Sequence, residues 1–63
     1  MTNSNNPTPY AIRQLRQEAA AAGDAVMVSV CTMALGGTPY HPLPNETQES
    51  CLTACRLMIE AAE

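Results

Sequence analysis

Phenylalanine, tryptophan and lysine are all absent from this 63-residue chain, and two tyrosines are its only aromatic residues apart from a single histidine. A core without large rings has to be built from Leu, Ile, Val and Met. At this length roughly 60% of the unfolded chain's surface can be buried, so one domain of marginal stability is expected, with no room for a catalytic domain and a second module. Charge is scarce as well: 14% of the residues are charged, against roughly 25% in ordinary soluble domains, and such a lightly charged surface favours association.

The three cations Arg13, Arg16 and Arg56 are scattered among six acids, for a net charge of −3. Phosphate neutralisation needs clustered cations on a basic domain, so direct nucleic-acid binding is not expected. Long apolar runs are missing too. The alanines Ala19 to Ala22 form one of the longest, far short of the roughly 20 residues that span a bilayer, and a membrane span is not expected. Residues 1–7 carry neither a positive stretch nor an apolar one, so no secretory leader is expected and a reducing cytoplasm is the expected compartment. The odd cysteine count (Cys31, Cys51, Cys55) fits free thiols better than a disulfide framework there.

What is present reads as helix. Residues 1–7 lack the apolar content to offset their ordering entropy and read as a flexible tail, leaving 8–63 as a single helical domain. Thr8 is a capping hydroxyl before Pro9, a residue suited to a first helical turn, and good helix formers run from Tyr10 to Ala22 before Gly23. Ala11, Ile12, Leu15, Ala19 and Ala22 share one stripe. Gly23-Asp24 then combines a C-cap glycine with an N-cap aspartate, the punctuation of an αα-hairpin.

A second helix is expected over Ala25 to Leu35, with Val26, Met27, Val30, Cys31, Met33 and Ala34 on a broad apolar face. The alternation of Val26, Val28 and Val30 also permits a strand, but a strand would find no partner elsewhere in the chain. Gly36-Gly37 closes this helix, and Pro39, Pro42 and Pro44 exclude helix from the stretch that follows. Asn45 reads as the cap of a third helix from Glu46 to about Ala62, with Gln48 as the amide of a capping box. Its stripe is Cys51, Leu52, Cys55, Met58, Ile59 and Ala62, and Leu57 lies outside it. The fold class is therefore all-α, a small three-helix bundle made of an αα-hairpin and a third helix after a Pro-rich loop.

The string Leu15-Arg16-Gln17-Glu18-Ala19, followed by Ala22-Gly23-Asp24, Met27-Val28, Cys31 and Ala34-Leu35-Gly36-Gly37, resembles small uncharacterised helical proteins encoded in bacteriophages and prophages. The resemblance covers about a third of the chain. It implies a helix ending in Ala-Gly-Asp, a second helix carrying Met, Val and Cys, and a third after a Gly-containing turn. The insert from Thr38 to Pro44 is longer than that pattern. The resemblance brings no catalytic residue. It implies a setting in which small accessory proteins bind a host or phage protein, inhibitors of host defence among them.

Few constellations suggest chemistry. Cys31, Cys51, Cys55 and His41 make up a Cys3His set, but Cys31 and His41 do not form the closely spaced knuckle of a structural zinc site. All three cysteines lie on apolar stripes, where core packing is the ordinary role, so no metal or other cofactor is expected. A Cys-His nucleophile pair would need an open electropositive pocket that so short a chain has little interior to build, and enzymatic activity is not expected. Leu35-Gly36-Gly37-Thr38 lacks the lysine and spacing of a phosphate-binding loop.

The most informative segment is Tyr40-His41-Pro42-Leu43, an aromatic loop stiffened by proline. Tyr40, His41 and Leu43 are the expected partner contacts, with Arg13, Arg16 and Gln17 of the first helix adding charge and hydrogen bonds. The competing expectation is that Tyr40 and Leu43 fold back to cap the core. The function expected is a small non-enzymatic protein-binding module. A zinc-stabilised Cys3His domain is the alternative, as is a homo-oligomeric structural protein, which Val28, Leu35 and Leu57 outside the stripes keep open.

Overall fold

A computed structural model describes residues 6–62; the expected tail falls mostly on residues 1–5, outside that range. The chain forms three helices, α1 (Pro9–Ala21), α2 (Ala25–Ala34) and α3 (Gln48–Ala62), with no strand among the described residues. The alternating valines of the second segment are helical.

Both ends of α1 and of α2 have an identifiable chemical cause. Thr8 holds an extended backbone and its hydroxyl accepts from the Ala11 amide at 3.1 Å, while Pro9 occupies the first helical position. At the other end Gly23 adopts φ 76°, the Gly23 amide donates to the Ala20 carbonyl at 3.1 Å, and the Asp24 amide reaches the Ala19 carbonyl at 2.8 Å. This is a Schellman closure. Asp24 at once caps α2, its Oδ1 accepting from the Met27 amide at 3.1 Å. The same closure ends α2: Gly36 has φ 88°, its amide donates to the Met33 carbonyl at 2.9 Å, and the Gly37 amide donates to the Thr32 carbonyl at 3.0 Å.

The third helix begins two residues later than its sequence suggests. Asn45 follows Pro44 in a turn that the Glu46 amide closes onto the Leu43 carbonyl at 3.0 Å, positions that suit Pro and Asn in a β-turn. The cap is Thr47. Its hydroxyl accepts from the Ser50 amide at 3.1 Å, and the Ser50 hydroxyl accepts from the Thr47 amide at 2.9 Å, a reciprocal box with serine in the usual place of a glutamate. Gln48, freed from capping its own helix, donates from Nε2 to the Ala34 carbonyl at 3.3 Å. It satisfies an acceptor that the end of α2 would otherwise leave open.

Helix α2 is the central element: it packs extensively against both α1 and α3, which touch each other far less. The core joins Ile12 of α1, Cys31 and Ala34 of α2, and Cys51 and Cys55 of α3, with Leu15, Met27, Val30, Met33, Leu35 and Leu52 packed around it. Sulfur replaces the missing rings at its centre, for the largest fully buried side chains are Ile12 and the three cysteines. Two positions on α2 depart from the expected face: Val26 is 64% exposed, and Ser29 is buried. Val26 lies in the first turn of α2, whereas small Ser29 shares a cleft wall with Ala20 of α1. Met58 is also half exposed and Ala62 is exposed, because α1 and α3 do not close on each other there, and Ala22, the C-cap of α1, is exposed as well.

Candidate functional site

The segment between α2 and α3 is held at both ends, by the Gly36-Gly37 closure before it and by the Leu43–Glu46 turn after it. Pro39, Pro42 and Pro44 restrict the backbone between these anchors. Tyr40 projects from it with 93% of its surface exposed, so it does not cap the core. Among the described residues no apolar neighbour covers the ring; its partner is His41, edge to face, with centroids 4.9 Å apart and planes at 84°.

The two rings form one wall of an open cleft of about 320 Å³, whose other walls are the turn between α1 and α2 and one side of α2, with Ala20, Ala25, Val28, Ser29 and Thr32 facing it. Two polar side chains at the cleft are committed internally. Asp24 is occupied in capping α2, and the Thr32 hydroxyl donates to the Val28 carbonyl at 2.9 Å. What the cleft offers a visitor is therefore mostly methyl and methylene surface, bordered by a phenol and an imidazole.

The other expected contact residues lie elsewhere. Arg13 and Arg16 border a separate depression with Pro7, Pro9, Leu35, Gln48 and Leu52. Gln17 is exposed on α1, and Leu43 is half-buried as the first residue of its turn. Of the six residues expected to act together, Tyr40 and His41 border the aromatic cleft, Arg13 and Arg16 border the arginine-lined depression, and Gln17 and Leu43 line neither. A third groove went unread in the sequence: Tyr10, Leu15, Met58 and Ile59 line the opening between α1 and α3. Its signal was present in the two apolar stripes, but a helical wheel does not say that two stripes fail to meet.

The cysteines form the only concentration of nucleophilic side chains among the described residues. Cys31 and Cys55 have their sulfurs 3.8 Å apart and are fully buried, and Cys51 is 1% exposed. Burial, followed by the neighbouring Cys55, pushes the Cys31 thiol from its ordinary 9.0 up to about 12, against the opposing pull of the Arg16 guanidinium. Burial also raises Cys51, with the Glu46 carboxylate adding to it, and raises Cys55. Thiols held protonated in this way are poor nucleophiles and poor metal ligands. Among the described residues no three His, Cys, Asp or Glu side chains converge where a metal ion could sit; His41 stands at the cleft while the cysteines face the core. No helix of the described residues is long and apolar enough to cross a membrane. Comparison with protein-family models, curated proteins and solved structures finds no match to this chain.

Proposed function

We propose that this chain is a small non-enzymatic protein-binding module that engages its partner through Tyr40, His41 and the cleft beside them. The observation that carries the reading is a tyrosine 93% exposed on a proline-restricted loop, bordering an apolar cleft. A bulky ring on a pre-ordered backbone contributes contact area at little entropic cost, which is how interface hot spots are commonly built. A partner's apolar side chain would seat on Val28 between the rings and the α1–α2 turn. Arg13 and Arg16, in their separate depression, would mainly steer encounter. The resemblance to phage-encoded helical proteins extends the proposal to a host or phage protein as partner and to an accessory role in the cytoplasm, including inhibition of a host defence protein.

Affinity capture from a bacterial host lysate, followed by titration of the captured protein, tests this reading. Tyr40→Ala should weaken binding by about 2 kcal/mol, roughly 30-fold, with the helical circular dichroism unchanged. Undiminished binding by both Tyr40→Ala and His41→Ala would move the site off the loop. A second reading, self-association, is favoured by the exposure of Tyr10, Leu57 and Met58 at 68%, 56% and 48%. Sedimentation over a hundredfold range of concentration separates it, since a binding module for a foreign partner stays monomeric.

A further inference from the structure

Cys31 projects from α2 and Cys55 from α3 so that their sulfurs stand in van der Waals contact, 3.8 Å apart, at the centre of the core. Cys51 precedes Cys55 by one helical turn and is also buried. We propose that Cys31 and Cys55 are a dithiol that closes to a disulfide between α2 and α3, leaving Cys51 reduced.

Three pairings are possible, and the geometry separates them. Cys51 and Cys55 leave one helix on the same side, and bridging them would pull both side chains out of their rotamers. Cys31 and Cys55 come from facing helices with their sulfurs already in contact at 3.8 Å, so reaching a bond length of about 2.05 Å requires the two sulfurs to approach by less than about 2 Å. Cys31 and Cys51 share the core, but it is with Cys55 that Cys31 makes its sulfur contact.

The oxidant is a low-molecular-weight disulfide such as oxidised glutathione. One protein thiolate attacks it, forming a mixed disulfide and releasing one glutathione thiolate. The second cysteine then attacks the protein sulfur of that mixed disulfide and releases the other. Two protein thiols lose two electrons and two protons, and one molecule of oxidant becomes two thiols. Full burial means that the first attack waits for the core to open. The second is favoured when α2 and α3 return to their places, and this return selects the partner. The product encloses the whole Pro-rich loop in a covalent ring, which limits the unfolded chain and stabilises the fold.

Incubation of the reduced full-length chain with oxidised glutathione, acid quenching, alkylation and chymotryptic mass mapping tests the pairing, because Tyr40 and Leu52 separate the three cysteines into different peptides. In native buffer the major product should lose about 2 Da, link the Cys31 and Cys55 peptides, carry an alkylated Cys51, and melt several degrees higher than the reduced chain, reversibly with dithiothreitol. Cys51→Ala should give the same link. In guanidinium that preference should vanish. A native product dominated by Cys51 links, a stable glutathione adduct without an internal bond, or the same distribution in both solvents would overturn the assignment.

Discussion

Among the described residues Ile12 is the only large aliphatic side chain that the fold buries completely; the other fully buried large positions hold cysteine. Truncating it removes a main filler of a core that cannot supply more than about 3–5 kcal/mol in a domain of this size. Ile12→Ala should therefore cost about 3 kcal/mol and leave much of the chain unfolded at room temperature, as read by far-ultraviolet circular dichroism. Tyr40→Ala is the contrasting case. A side chain so exposed contributes little to packing, and the variant should melt at nearly the wild-type temperature. Alkaline pH probes a third residue. The Cys31 thiol rises to about 12 in the fold from an ordinary 9.0, so between these values the unfolded chain loses a proton that the native one keeps. Stability is fully present below pH 9 and should fall progressively toward pH 12. Urea titrations over that range should show the fall, and Cys31→Ala should lessen it, the remainder coming from Cys51 and Cys55, whose thiols burial also raises.

At the level of the helices, most of the organisation was legible because capping is local chemistry. Thr8-Pro9, Gly23-Asp24 and Gly36-Gly37 each announce an end that the hydrogen bonds then make. The start of α3 differs from the sequence expectation because Asn45 suits both a cap and a turn, and Pro44 before it decides for the turn. Thr47→Ala should consequently destabilise the domain by about 1 kcal/mol in urea denaturation, and Asn45→Ala by clearly less. An expectation built on Asn45 as the cap would reverse that order. The burial of α2 was harder to read. Nearly every residue of that helix is apolar, so periodicity could not distinguish exposed Val26 from the valines that pack, and nothing local marked Ser29 for the interior. Which side of such a helix is covered depends on where its neighbours lie, and these positions are set by contacts distant in sequence.

Across the whole molecule α2 is flanked on two sides while α1 and α3 barely meet. Amide hydrogen exchange should therefore be slowest in the second half of α2, around Cys31, and fastest at the outer ends of α1 and α3, which can fray without dismantling the centre. The same arrangement explains what could be foreseen of the candidate site. A rigid aromatic loop was visible in the prolines around Tyr40 and His41. Its neighbours were not, since the cleft exists only because the turn at Gly23 and Asp24 folds back beside Val28 and the loop. With no ring in the core and both tyrosines on the surface, at 68% and 93% exposure for Tyr10 and Tyr40, unfolding moves neither chromophore from an apolar medium into water. Intrinsic fluorescence should be nearly blind to the folding transition, and a change in tyrosine emission on adding a non-fluorescent partner would report contact at the surface without interference from the stability of the fold.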